Sequence, residues 1–380
     1  MAAFKIFRAR DILPQVFGLL VRGRLKFRFE LVPYETGPLS WRKRVNLFQA
    51  GLNQILPRPA PFGRPVVAQV EPANYCNLSC PLCMTTSETS SRPRSLLPFE
   101  DFRRFLDDAG DHLLLIVLWN WGEPFLHPEI FRMIAAAKEK GILVHTSTNG
   151  NIPFDEARAE KLVDSGLDTM IFGVDGACQE TYGLYRKGGD LEKVWENIRT
   201  VLRVRAARGS AVPRVNLRFV VMKHNEREIP RMREIARELR VDFLSFKTVD
   251  MPPARGSDLD PRYAPGAERY RRYAYEGRGF RHVRRPFVCF RPWKRITLDA
   301  LGEIIPCEYD YKNIHSFGTI AGGASAVSLW KGKKARAFRK HFRFGRNDFY
   351  FCRDCTYKNR IGDDCNVEIV DLRTGAGARV

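Results

Sequence analysis

"VVAQVEPANYCNLSCPLC", residues 66–83, sets a β-rich apolar run directly ahead of three cysteines spaced C-x3-C-x2-C. Cys76, Cys80 and Cys83 follow closely on a strand expected over 66–71. Thiols crowded into so short a loop suit a compact turn around a soft metal centre, because thiolates select zinc, copper or iron–sulfur. A structural zinc ion takes four ligands, and this loop has no fourth Cys or His; the next histidine is His112. Thiolates from this loop on a four-iron cluster would instead leave one iron open to an exogenous ligand.

Further strands are expected at "LLLIVLW" (113–119), "ILVHTST" (142–148), "DTMIFGVD" (168–175), "VNLRFVVM" (215–222) and "DFLSFKTV" (242–249). Helices fall between them. In "PEIFRMIAAAKEKG", Ile130, Met133, Ile134 and Ala137 share one face, and Gly141 closes the segment. In "DLEKVWENIRTVL", Leu191, Val194, Ile198, Val201 and Leu202 do the same. Strands with little alternation, separated by helices, imply a parallel sheet covered on its outer face. The pattern fits either a doubly wound sheet or an open barrel of βα units. In both, ligands gather at the C-terminal strand ends, which makes the turns there the place to look.

With its cysteines in the turn after the first strand of such a sheet, the chain resembles the radical S-adenosylmethionine (SAM) enzymes. The resemblance implies an α/β fold, a partial (β/α)6 barrel, with Cys76, Cys80 and Cys83 holding a [4Fe–4S] cluster. It implies SAM as cofactor, its methionyl amino and carboxylate groups chelating the open iron. Reductive cleavage then gives a 5′-deoxyadenosyl radical, with electrons from a donor such as flavodoxin or ferredoxin. "WGEP" (121–124) ends the second strand and is similar to the family's GEP motif. Gly122 would expose backbone there, Glu123 would accept from the methionyl ammonium, and Pro124 completes the cofactor-binding motif. Ser147, Thr148 and Asn149 of "STNG" end the third strand and point short polar groups toward the cofactor; an ordinary Asn-Gly turn is the plainer reading. "VDG" (174–176) matches the fourth turn, where Asp175 takes no assigned role. Arg186 would pair with the methionyl carboxylate, and Asn225, after the fifth strand, is a candidate for ribose or adenine contact. Leu82 departs from the family, which often places an aromatic residue before the third cysteine.

The remaining clustered cysteines lie beyond the barrel: Cys289, Cys307, Cys352, Cys355 and Cys365. "RITLD" and "EIIPCEY" read as hairpin arms on either side of "ALG". With Gly302 before Cys307, and C-x2-C further on, this resembles the SPASM or shorter twitch extension of the same enzymes. A full SPASM run would have a cysteine where Ile361 stands and another after Cys365. The thiols therefore suffice for one auxiliary [4Fe–4S] cluster, on Cys289, Cys307, Cys352 and Cys355. Cys365 is either a replacement ligand or a catalytic thiol that donates hydrogen to a substrate radical. Four thiolates also fit zinc; the resemblance favours the cluster. Cys178 in "DGACQE" reads as a helix-start residue.

The organisation expected is a basic extension (1–65), the barrel (66–252), a linker (253–288), the SPASM/twitch domain (289–370) and a disordered tail (371–380). Net charge is +20. The excess concentrates in 1–65, in the Arg-rich 255–291, and in "KGKKARAFRKHFRFGR" (331–346). Such charge attracts anionic partners. The chain lacks an apolar run of membrane-span length and a secretory cleavage pattern, so a cytoplasmic setting is expected, with peripheral membrane contact through 1–65 as an option. In "WRKRVNLFQAGLNQIL" (41–56), Val45, Phe48, Leu52, Ile55 and Leu56 share a face that would pack on the barrel or meet a membrane surface. Residues 84–97 read as a polar loop.

The single-cluster spacing resembles that of a cyclitol-alcohol dehydrogenase of the family, which implies hydrogen abstraction from a small polyol, carbohydrate-like or lipid-linked substrate. Peptide maturation is the alternative task. An iron–sulfur protein that binds nucleic acid without catalysis is the reading from another class.

Overall fold

The computed structural model describes residues 17–86, 92–250, 263–272, 274–276, 279–281, 289–353, 355, 366–375 and 377–379. Six parallel strands form its centre: β3 (Val67–Val70), β4 (Leu115–Val117), β5 (Leu143–Thr148), β6 (Thr169–Gly173), β7 (Arg214–Val221) and β8 (Phe243–Thr248), lying side by side in chain order. They follow β1 (Lys26–Phe29) and β2 (Val32–Glu35), which form a separate antiparallel hairpin. The fold is α/β, a partial (β/α)6 barrel, as the alternation of strands and helices predicts. The helices cover the outside with the expected faces. Ile130, Met133, Ile134 and Ala137 are buried in the helix Ile130–Glu139, and Leu191, Val194, Ile198 and Val201 in Leu191–Ala207.

After a small hairpin, β9 (Ala274–Glu276) with β10 (Gly279–Arg281), the C-terminal segment extends this sheet on both sides. On one edge β11 (Arg295–Leu298) runs parallel to β3, and β12 (Glu303–Ile305) and β13 (Gly318–Thr319) follow antiparallel. The β11–β12 turn carries Gly302 at φ +77°, where a side chain would be strained. On the other edge β14 (Asn366–Asp371) pairs antiparallel with β8, and β15 (Gly377–Arg379) with β14. The segment expected to be a disordered tail thus carries an edge strand, because β14 presents an unpaired ladder that Gly377–Arg379 can fill.

The hairpin β1–β2 packs its inward residues Phe27, Phe29, Val32 and Tyr34 against Val67, Leu115, Val117 and Phe243. Its tip places Glu30 and Leu31 at φ +50° and +67°, a conformation that persists in such residues only when the surroundings hold it. Here Glu30 is buried and ion-paired to Arg218 of β7, with Lys247 of β8 at 3.7 Å and His145 of β5 at 3.6 Å. Burial pushes its carboxyl up, but Arg218, Lys247 and His145 outweigh that and hold it well below the ordinary range.

The helix Trp41–Ile55 forms as expected but faces the other way. Lys43, Asn46, Ala50 and Asn53 are the buried residues, while Trp41, Phe48 and Ile55 are exposed. Lys43 Nζ donates to the carbonyls of Lys140 and Gly141 at 3.1 and 3.2 Å, and Asn53 both donates to and accepts from Phe62 at 2.9 Å. Buried backbone groups need partners, and here that need outweighs apolar burial. The "polar loop" also departs from expectation. Arg92 is buried, 2.6 Å from Glu71 and 3.2 Å from Asp299. In 331–346, the helix Lys333–Gly345 buries Ala335, Phe338, Arg339 and Phe342. No described helix is long and apolar enough to cross a membrane.

Glu30→Ala strands Arg218 and Lys247 without their carboxylate, and is expected to cost about 3–5 kcal/mol in urea unfolding. Glu35→Ala, which breaks exposed pairs with Lys26 and Arg24, should cost less than about 1 kcal/mol.

Candidate active site

The loops after β3, β4, β5 and β6 meet over the C-terminal edge of the sheet. Cys76, Cys80 and Cys83 line one cavity of about 170 Å³ together with Trp119, Trp121, Gly122, Glu123, Ser147, Asn149, Tyr185 and Arg186. The close approach of the first two loops depends on Gly122. A Cβ there would overlap the Ala73 carbonyl and crowd the Tyr75 nitrogen. The contact is fastened by the Glu123 amide, which donates to Tyr75 O at 2.9 Å.

Glu123 is buried, and its carboxylate accepts from Thr148 Oγ1 (3.0 Å), the Asn149 amide (2.7 Å) and the Phe125 amide (3.1 Å). These bonds occupy three of the roughly four lone-pair positions of a carboxylate, and one is left toward the cavity. Burial pushes its carboxyl up to about 7, against those hydrogen bonds and the charge of Arg186. Asn149 reaches from the third loop to the first, with Nδ2 donating to Asn77 Oδ1 at 2.8 Å and to Cys76 Sγ at 3.3 Å. Ser147 lines the cavity, whereas Thr148 is occupied with Glu123. Pro124 opens the short helical turn that Glu123 caps.

Arg186 enters the cavity from the far side and is held by Asp175, Nε to Oδ2 at 2.6 Å. Asp175 is anchored in turn by the Val220 amide on its carboxylate (2.7 Å) and by Asn225 Nδ2 on its carbonyl (3.0 Å). Asn225, expected at ribose or adenine, thus stands behind Asp175 and is taken up with closing the turn after β7. An aromatic side chain packs beside Leu82, the residue before the third cysteine. Leu82 joins Met222 and Val249 in a small apolar cluster with Tyr185 against it. Tyr185, Trp119 and Trp121 escaped the sequence reading; Trp121, immediately before Gly122, carried the one available signal.

The donor set matches the groups it would hold. The thiols suit an iron–sulfur cluster, Glu123 an ammonium, Arg186 a carboxylate and the aromatic side chains of Tyr185, Trp119 and Trp121 on the cavity wall a flat apolar group. Burial raises the Cys76 thiol to about 12, with Glu123 adding to it, and the Cys80 thiol to about 11 against the Arg186 charge. Both are protonated at neutral pH until a metal displaces the proton.

A second cavity lies against the added edge of the sheet. Cys289, Cys307, Cys352 and Cys355 line it, enclosed by Phe338, Phe342, Phe351, Pro292 and Pro306. Burial, and then the neighbouring Cys307, Cys289 and Cys355, hold the Cys352 thiol well above its usual value. With its proton in place Cys352 is neutral, and a metal or cluster bound here would have to displace that proton; Arg291 and Arg346 share the lining with the apolar side chains. Cys365 lies outside the described residues. Cys178 precedes the helix Gln179–Tyr185, exposed and hydrogen-bonded to Thr181, where a helix-start residue is expected. Trp121 spans toward the second site. Its Nε1 donates to Glu308 O at 2.8 Å and its ring meets that of Tyr309 edge-on at 5.6 Å.

The radical SAM superfamily profile matches residues 70–236, and the SPASM profile, an iron–sulfur cluster-binding domain, matches 289–356. The chain belongs to the radical SAM superfamily and carries a SPASM domain. As such it uses [4Fe–4S] clusters and SAM. It is 24% identical over 321 residues to the tungsten-containing aldehyde ferredoxin oxidoreductase cofactor-modifying protein of Pyrococcus furiosus, covering 76% of this chain and 87% of that one. It is 30% identical over 202 residues to an AdoMet-dependent heme synthase of Methanosarcina barkeri, covering 53% of this chain and 55% of that one. Among solved structures it is similar to Streptococcus suis SuiB bound to S-adenosylmethionine, with TM-score 0.57 at 14% identity, covering 83% and 76% of the two chains. At that identity the likeness concerns the fold.

Gly122→Ala should lower stability by about 1–3 kcal/mol through overpacking and abolish SAM retention in equilibrium dialysis. Glu123 has a folded value raised above the ordinary 4.5. Its contribution to stability is therefore present below about 4.5 and lost as pH rises through about 7. Wild-type melting temperature should fall relative to Glu123→Gln between about pH 5 and pH 8.

Proposed function

We propose that this protein is an oxidoreductase that removes hydrogen from a C–H bond of a small polyol, carbohydrate-like or lipid-linked substrate. The observation that carries the reading is the convergence of three thiols, Glu123 and Arg186 on one cavity, with Trp121 leading to a second thiol-lined cavity. When bound, the cofactors supply the 5′-deoxyadenosyl radical at the first site and an electron acceptor at the second. Cys76, Cys80 and Cys83 are the ligands we assign to the first cluster, and Cys289, Cys307, Cys352 and Cys355 to the auxiliary one. Cys365 remains a candidate hydrogen donor or replacement ligand. Within the first cavity, Glu123 and Arg186 would orient the amino-acid end of SAM, with Tyr185 on the cavity wall available to its purine.

Polar groups stand beside Trp121 on the way to the second site. Tyr309 donates to Asp250 at 2.9 Å, and Glu308 is ion-paired to Arg291 and lies 3.4 Å from Arg295. Fixed polar groups in an aromatic setting are what orient a small ligand. The peptide alternative has PqqA peptide cyclases among the chain's relatives in its favour; against it, the described residues 17–65 form a helical turn, a hairpin and the helix Trp41–Ile55. The nucleic-acid reading is less supported. Arg339 of the basic run is buried, donating to the carbonyls of Pro292 and Trp330 at 2.8 and 2.7 Å.

Anaerobically reconstituted protein with dithionite and SAM should form 5′-deoxyadenosine. Cys76→Ala, Cys80→Ala and Cys83→Ala should each abolish it and remove about half of the iron, as for one of two like clusters. Cys307→Ala or Cys352→Ala should lose a similar share of iron yet keep SAM cleavage. Absence of 5′-deoxyadenosine from protein with a filled first site would refute the proposal, and one zinc in place of the second cluster would refute its auxiliary part.

A further inference from the structure

The outward side of the helix Trp41–Ile55 exposes large apolar side chains beside Arg42, Gln49 and Gln54, uncovered among the described residues. Trp41, Phe48 and Ile55 are 70%, 67% and 84% exposed, and Leu56 follows at 55%. The first three recur every seventh residue, which returns them to one side of an α-helix. The inward side cannot roll out to replace them, because Lys43, Asn46 and Asn53 are tied to main-chain partners at the barrel floor. Two more exposed apolar residues, Phe17 and Val21, belong to the turn that joins this helix. The Leu39 amide donates to Gly23 O at 2.7 Å, and Arg44 packs at Gly23. At the other end, Pro57 shares a groove with Arg343 and Phe344, the latter 85% exposed. Seven of the nine large apolar side chains exposed among the described residues lie in this region. Scattered exposed apolar residues need no explanation, but a contiguous patch does.

Arginines stand beside the apolar residues of the patch, with Asp111 and Asp348 the acids near them. Arg22 follows Val21, Arg42 follows Trp41, and Arg343 precedes Phe344, all exposed. Arg42 has an exposed ion pair with Asp111 at 3.2 Å, of the kind that exchanges partners at little cost. The surface is the convex outside of a helix, which suits a broad soft apolar layer better than a ligand needing a pocket. A second copy would set these arginines against its own. Fifteen residues at about 1.5 Å each fall short of a bilayer's hydrocarbon core of about 30 Å, so the helix can lie on such a layer but not cross it.

We propose that this face docks on the surface of an anionic phospholipid bilayer. The helix Trp41–Ile55 lies in the plane of the headgroups, with Trp41, Phe48, Ile55 and Leu56 inserted and Arg22, Arg42 and Arg343 against the phosphates. This is the geometry of interfacial helices, whose binding combines buried apolar area with attraction to anionic lipid. The docking is independent of the cofactor chemistry, and its test needs no turnover.

The test is co-sedimentation of the full reconstituted chain with phosphatidylcholine vesicles, with and without phosphatidylglycerol, at low and high salt. The wild type should pellet with the anionic vesicles and be released by salt. Phe48→Ser/Ile55→Ser should weaken partition by at least about tenfold, with melting temperature and 5′-deoxyadenosine formation unchanged. Arg22→Glu/Arg343→Glu should reduce binding to anionic vesicles only. The proposal is overturned if the wild type stays in the supernatant at low salt, or if the Ser variant binds equally well. It is also overturned if the Ser substitutions turn a lipid-free dimer into a monomer, which would assign the patch to a second copy. Loss of 5′-deoxyadenosine formation in the wild type, with vesicle binding intact, would count against the catalytic reading alone.

Discussion

Gly122 lies where any side chain would share space with the Ala73 carbonyl, and the site assembles around that contact. Because the two loops touch, the Glu123 amide reaches Tyr75 and its carboxylate becomes the acceptor that gathers Thr148, Asn149 and Phe125. Asn149 then reaches back to Asn77 and Cys76. One close backbone approach thus links the first three loops of the parallel sheet. The fourth loop joins through charge, with Arg186 aimed by Asp175 and Asp175 fixed by the turn after β7. Preorganisation of this kind lets a barrel present several unlike donors to one ligand without paying for their ordering at the moment of binding.

Polar and ionic ties hold the rest of the chain to the barrel. Arg92 connects Glu71, just past β3, to Asp299 of the added edge, so the loop after the cysteine motif and the β11–β12 hairpin are bound together. Because β11 also pairs with β3, the second thiol-lined cavity is part of the same sheet as the first. Trp121 makes that continuity local, reaching from the GEP loop to Glu308 and Tyr309. Away from these loops Glu30 gathers Arg218 of β7, Lys247 of β8 and His145 of β5.

Much of this was legible in the sequence. The expected strands 142–148 and 242–249 differ from Leu143–Thr148 and Phe243–Thr248 by only a residue or so, since buried parallel strands are written as apolar runs bounded by turns. The thiols were legible through spacing, and Gly122 and Glu123 through their place after a strand. What escaped depends on neighbours remote in the chain. Helical periodicity located the helix at 41–56 but could not say which face turned inward, because that was decided by carbonyls at Lys140, Gly141 and Phe62. The β1–β2 hairpin lacks the Asn-Gly signal of a tight turn; its Glu30–Leu31 tip is held by ion pairs from β7 and β8. Asn225 looked like a ligand because it follows a strand, but its amide is taken up with Asp175 and Val220.

The central claim is that Cys76, Cys80 and Cys83 hold a cluster to which SAM is directly bound, with Glu123 and Arg186 orienting it. Electron–nuclear double resonance on the reduced, reconstituted protein with SAM labelled by nitrogen-15 at the methionyl amino group tests it most directly. The account predicts a nitrogen coupling to the first cluster in the wild type and in Cys352→Ala, and none in Cys80→Ala. A fully loaded first cluster whose spectrum shows no coupling to the labelled SAM would contradict it.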